Sequence, residues 1–175
     1  MPLQGKFVVS GQDLSPLVIS GVGTFPAFSG DGSYRNQGGC TARPNQGPIP
    51  AGRYWIVDRP KGGVRTLLMN TAVEVRFGFT RSPVDYSEWF ALYRDDGMID
   101  DYTWTEGVKR GNFRLHPAGG RGISLGCITL QSRADYAALR RAILKTPTVH
   151  LRDTGLSTYG WIDVTTYGNA CSQES

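Results

Sequence analysis

Apolar runs in this chain are short, and almost every one ends at a glycine or a proline. "KFVVSG", "SPLVISGVG" and "TFPAFSG" are rich in β-favouring residues and close on Ser-Gly or Gly, the punctuation of strands that turn back on themselves. They read as an opening meander. Twenty-three glycines and ten prolines in 175 residues leave little room for long helices, so the expected fold is mainly β with one main α-helix. A chain of this length supports one good core, and no linker or internal repeat divides it, which predicts a single domain over residues 1–175.

Charge narrows the partners only a little. Nineteen Lys and Arg against fifteen Asp and Glu give a formal net charge of +4, but the basic residues are scattered singly, with no basic helix or run, which argues against nucleic acid. No stretch approaches the ~18 apolar residues of a membrane span. The N-terminus "MPLQGKFVVSGQDLSP" lacks the apolar core of a secretory signal, so the expectation is synthesis in the cytoplasm and export by a route other than Sec.

Residues 30 to 52, "GDGSYRNQGGCTARPNQGPIPAG", are mostly turn formers and predict a long surface connection. "RYWIVDR" and "TAVEVRFGF" alternate as strands do. From Thr80 to Gly111 the pattern is irregular, with the acidic turn "RDDGMIDD" expected in solvent. "SRADYAALRRAILK" is the convincing helix. Ser132 is its N-cap, Asp135 sits in the first turn, and Tyr136, Leu139, Ile143 and Leu144 fall on one face. "TVHLRD" and "GWIDVTTY" read as closing strands.

The chemistry concentrates in "FRLHPAGGRGISLGCITL", residues 113 to 130, where His116 precedes Cys127 by eleven positions. A thiol attacks as a thiolate, and a neighbouring imidazole can take its proton. If "FRLH" and "ISLGCITL" are adjacent strands, the imidazole reaches the sulfur. Gly126 permits a sharp turn that brings the N–H groups of Gly126 and Cys127 toward one point, as an oxyanion hole needs, and Ser124 can steady that turn. A backbone carbonyl just after His116 is the simplest partner for its second nitrogen. Two other readings stay open: Cys127 as a small core hydrophobe, or as part of a disulfide or zinc site. A zinc site lacks a second ligand pair at metal spacing, and no metal or cofactor is implied.

"SLGCI" before a capped helix, with "LHP" upstream, resembles the signature of the YkuD-like L,D-transpeptidases. "GPIPAGRYWI" resembles a strand of their first half. Together, "FSGDGSYRNQ", "GPIPAGRYWIVDR", "FRLHPAG" and "GISLGCITL" are most similar to the antibacterial type VI secretion effectors of that superfamily, in patches from about Phe28 to Leu144.

The resemblance implies a YkuD-like β-sandwich or barrel and a cysteine enzyme acting on peptidoglycan stem peptides. Cys127 would be the nucleophile, His116 the base and then the acid, and the N–H groups of Gly126 and Cys127 the oxyanion donors. The thiolate would attack the L-centre carbonyl of meso-diaminopimelate and expel the terminal D-Ala. Water as acceptor gives an L,D-carboxypeptidase, and a free D-amino acid gives exchange. Leu125 and Thr129 stand where housekeeping enzymes carry His and Arg, and the His-to-Cys interval is shorter, so trimming of single stems is expected over cross-linking. Arg121, Tyr34 and Asn36 are candidate substrate-binding residues. Arg35, Trp55 and Trp89 are read as turn or packing residues, and His150 as structural. Should Cys40 and Cys171 bridge, Cys127 is left as the thiol the mechanism needs.

Expected partners are a peptidoglycan tetrapeptide, a cognate immunity protein and a component of the type VI secretion tube or spike, with action in the periplasm of a target bacterium. A non-catalytic cell-wall-peptide binding module and a housekeeping L,D-transpeptidase are the alternatives.

Overall fold

The computed structural model describes residues 1–60, 86–119, 125–168 and 170–171. The strand expected over "TAVEVRFGF" lies outside them, as do Arg121 and Ser124. Strands β1 (Leu3–Val9), β2 (Ser15–Ile19) and β3 (Gly23–Phe28) form the antiparallel opening meander. Their alternation sends Phe7, Leu17, Ile19 and Phe25 inward and Lys6, Val18 and Thr24 outward.

Next come β4 (Gly52–Asp58), β5 (Phe90–Arg94), β6 (Tyr102–Thr105), β7 (Val108–Gly111), β8 (Arg114–Pro117) and β9 (Ile128–Leu130). Helix α1 (Arg133–Lys145) precedes β10 (Val149–His150) and β11 (Ser157–Thr166). The sheet runs β1-β2-β3-β9-β8-β5-β4-β11, and β11 returns to pair in parallel with β1. The fold is thus mainly β with one main helix, and eight described strands close into a barrel with no open edge between first and last. β6 and β7 form a separate hairpin.

The core fills the barrel and continues under the helix. Leu17, Ile56, Leu92, Leu115, Ile128 and Ile162 are fully or almost fully buried there, each such side chain contributing about 1.5–3 kcal/mol. On α1, Tyr136, Leu139 and Ile143 join this core, and the Ser132 hydroxyl caps the helix by accepting from the Asp135 N–H at 3.2 Å. Leu144, expected on the same face, is 48% exposed. It lies about 100° round the helix from Ile143, beyond the edge of the buried stripe.

Two other expectations change. The connection over residues 30 to 52 is not confined to the surface: Arg43 to Gln46 are exposed, but Gly47 to Pro50 turn inward and Ile49 enters the core. Ser29 fixes that entry, its hydroxyl accepting the Ile49 N–H at 2.8 Å. The stretch after Thr80 holds β5, β6 and β7. "FALYR" hides its period because both faces of β5 are covered, Phe90 and Leu92 by the barrel core, Ala91 and Tyr93 by an outer cluster with Val57, Ile99 and Leu156.

Candidate active site

β8 and β9 are parallel neighbours, with Leu115 opposite Ile128 and His116 opposite Thr129. Since Leu115, Ile128 and Leu130 point into the core, alternation puts Arg114, His116, Cys127 and Thr129 on the outer face of the same pair. Two segments eleven residues apart in sequence thereby present a guanidinium, an imidazole, a thiol and a hydroxyl side by side. β5 adds a fifth group. Its register sets Phe90 against Leu115, so Trp89 comes opposite His116. Indole and imidazole stack with centroids 4.1 Å apart and planes 16° from parallel, and Tyr86 meets Trp89 edge-on with ring centres 4.7 Å apart.

His116 is 5% exposed. Its Nδ1 lies 2.7 Å from the Pro117 carbonyl oxygen and must donate to it, which leaves Nε2 as the acceptor, 3.3 Å from the Thr129 hydroxyl. This is the tautomer a general base needs. Burial pushes the imidazole down to about 4, against a small upward pull from the Pro117 carbonyl. At neutral pH the ring is uncharged.

Cys127 is the cysteine outside the disulfide, and it is buried. Its Sγ–H points to the Asn112 carbonyl at 3.7 Å. Burial pushes the thiol up to about 11; the Arg114 charge, the Arg114 backbone N–H and the Arg110 charge pull it down, while Asp101 raises it. The resting pair is therefore neutral thiol and neutral imidazole, and among the described residues no hydrogen bond joins the two. Arg114 is held by Asp101 through paired contacts of 2.6 and 2.8 Å. Burial lowers its pKa, but the bond to Asp101 and that carboxylate's charge more than offset this and hold it above the ordinary value.

Gly126 is buried at φ +91°, a conformation that suits glycine. A methyl there would stand 2.5 Å from Arg110 Nη2. Arg110 itself is 4% exposed and donates to the carbonyls of Thr41, Gly47 (2.9 Å) and Pro48 (3.3 Å). Burial lowers it to about 10, partly opposed by Tyr54 and Cys127, so it stays cationic at neutral pH. One buried guanidinium thus ties the long loop to the turn that carries the thiol.

The other sequence candidates among the described residues are held by partners of their own. Asn36, in the left-handed region at φ 54°, is fully buried; it accepts from the Ser29 N–H at 2.9 Å and donates to the carbonyls of Gln12 (2.8 Å) and Asp13 (3.2 Å). Its amide holds the loop to the meander. Tyr34 ends a short 3-10 turn, with the Arg43 guanidinium 5.4 Å from its ring centre. Arg35 lies over Phe28 at 3.6 Å and bonds Asp13 at 3.0 Å, and Trp55 packs edge-on against Trp161. Cys40 and Cys171 form a disulfide, Cα to Cα 4.6 Å, that ties the long loop to the C-terminal segment.

Sequence reading missed the parts played by Arg110, Arg114 and Thr129. Arg114 and Thr129 had a signal, since each is two residues from His116 or Cys127 on an alternating strand. Arg110 had none, because its partners come from residues 41 to 48. Among the described residues no three His, Cys, Asp or Glu side chains gather as a metal site, and no helix is long and apolar enough to cross a membrane.

A family model described as the Tlde1 domain matches residues 23–154, the span from β3 past α1 that contains every group of the cluster. No curated protein compared with the chain matches it.

Proposed function

The chain belongs to the Tlde1 domain family, named for type VI secretion L,D-transpeptidase effectors, and on that premise we propose that it is a cysteine L,D-carboxypeptidase of peptidoglycan stem peptides. One observation carries the reading: β8 and β9 put His116, with Nε2 left as acceptor, and Cys127 on one face beside the glycine turn at Gly126.

In this reaction the Cys127 proton passes to His116 Nε2 as Sγ attacks the L-centre carbonyl of diaminopimelate. The N–H groups of Gly126 and Cys127 receive the oxyanion. The carbon–nitrogen bond to D-Ala breaks, His116 gives its proton to the leaving amine, and a thioester remains. Water then attacks, returning one proton to His116 and from there to the sulfur. A free D-amino acid in place of water gives exchange. The Trp89 face favours the imidazolium that both steps pass through. A buried neutral pair is compatible with this course, because the proton moves only as the new bond forms.

The disulfide fits action in an oxidising compartment such as a target cell's periplasm. A toxin acting there implies a cognate immunity protein able to cover the His116–Cys127 face, and a secretion tube or spike component that delivers it. A second reading, a non-catalytic stem-peptide binding module, draws on the neutral, separately bonded thiol and imidazole. Mass spectrometry of disaccharide-tetrapeptide incubated with wild type and with Cys127→Ala decides between them. Loss of D-Ala with wild type alone supports the enzyme. Intact peptide in both samples, with binding to both proteins, supports the module.

A further inference from the structure

The imidazole of His116 is held on three sides. Its ring lies against Trp89 with centres 4.1 Å apart, its Nδ1 donates to the Pro117 carbonyl at 2.7 Å, and its Nε2 meets the Thr129 hydroxyl at 3.3 Å. With the one ring proton given to Pro117, Nε2 carries no hydrogen, so the hydroxyl must be the donor. Thr129 stands directly across from His116 in the parallel pairing of β8 and β9 and is fully buried. Among the described residues this is the one hydrogen bond its side chain makes. Valine would fill nearly the same space, and burying a hydroxyl costs free energy unless it is bonded, so the bond to Nε2 is what the threonine adds.

The lone pair that has to take the thiol proton is therefore already occupied. The thiol is engaged as well, its Sγ–H pointing to the Asn112 carbonyl at 3.7 Å. Each reactive atom is bonded to a group other than its partner. Because the sulfur gives its hydrogen to Asn112 and not to Thr129, the hydroxyl passes no proton from Cys127 in this arrangement; it only covers the base. We infer that Thr129 is a positioning residue that holds the general base in reserve: its hydroxyl occupies Nε2 in the resting enzyme and must turn away before the thiol pairs with the imidazole. This rests on the cysteine-enzyme reading above and deepens it. Trp89 and Pro117 fix the ring, so the parts that move are the Cys127 side chain, leaving Asn112, and the Thr129 hydroxyl, rotating about its C–O bond. Cys127 and Thr129 are two residues apart, about 7 Å along the strand, on the same outer face, which keeps the sulfur within side-chain reach of Nε2. A thiol kept from its base stays unreactive until a substrate rearranges the pair.

Alkylation of Cys127 by iodoacetamide at pH 7, followed by intact mass, tests this without turnover. Thr129→Val removes the hydroxyl and should speed alkylation roughly fivefold to tenfold, the factor carried by one ordinary hydrogen bond. Thr129→Ala, a second variant without the hydroxyl, should also be faster than wild type. Thr129→Ser keeps the hydroxyl and should react at the wild-type rate. Adding His116→Gln to Thr129→Val should abolish the gain, because the gain needs the freed imidazole and not merely a looser fold. An unchanged rate in both hydroxyl-free variants, the same acceleration in Thr129→Ser, or a gain that survives His116→Gln would overturn the inference. Slower alkylation together with lost D-Ala release in Thr129→Val would make the hydroxyl a proton relay and overturn it equally. Wild type that shows the expected alkylation pattern but releases no D-Ala from disaccharide-tetrapeptide would sink the catalytic reading and leave the hold on His116 standing.

Discussion

The imidazole of His116 lies face to face with the indole of Trp89, 4.1 Å between ring centres. A neutral ring gains packing from that contact; an imidazolium gains the attraction of the π face as well. Trp89→Leu should therefore lower the rate of acyl transfer by roughly tenfold, while Trp89→Phe should retain most of it. Steady-state D-Ala release measures both, and equal losses in the two variants would mean the ring acts only as filler.

His116 also links stability to pH. Its folded pKa of about 4 lies below the ordinary 6.5, so stability is fully present above pH 6.5 and is lost as pH falls toward 4. The unfolded chain binds a proton in that window that the folded protein refuses, which costs roughly 3 kcal/mol by the lower end. Urea midpoints between pH 7 and pH 4.5 should fall more steeply for wild type than for His116→Gln. Parallel slopes would place the acid sensitivity elsewhere.

Cys127 titrates the opposite way. With burial raising its thiol to about 11, alkylation by iodoacetamide without substrate should be slow at pH 7 and climb between pH 9 and 11. Arg114→Gln removes the largest downward pull and should slow alkylation further at any pH in that range. A rate already at its plateau by pH 8 would show a thiolate stabilised more strongly than these groups provide.

Arg110 and Gly126 form one joint. Gly126→Ala forces a β-carbon against Arg110 at a positive φ, and a loss of about 1–3 kcal/mol with a large loss of activity is expected. Arg110→Met strands the carbonyls of Thr41, Gly47 and Pro48 and should cost at least as much. Thermal unfolding of the two variants and of the double change checks the coupling: joined residues give a double loss smaller than the sum of the singles.

The Cys40–Cys171 bridge closes a loop of 131 residues. Chain entropy sets its contribution at about 5 kcal/mol as an upper figure. Reduced wild type should unfold at the same denaturant concentration as Cys171→Ser, and that variant should ignore the reductant.

What could be read beforehand follows from where each signal is encoded. The meander, the capped helix and the His-Cys strands are local patterns of period two or 3.6, and they stand in the structure as β1 to β3, α1, β8 and β9. β5 carries apolar residues on both faces and so lost its period, and Leu144 sits one step past a stripe whose width only packing defines. In the site, alternation was enough to place Arg114 and Thr129 beside His116 and Cys127 once the strands were known to be parallel. Arg110 and Trp89 depend on register with residues far away in sequence, which no local pattern records.

Acid-quenched intact-mass measurement on protein mixed with disaccharide-tetrapeptide tests the central claim most directly. Wild type should show an adduct equal to the substrate minus D-alanine, mapped to Cys127, and Cys127→Ala should show neither adduct nor D-Ala release. Release of D-Ala by Cys127→Ala at the wild-type rate would contradict the assignment of the nucleophile.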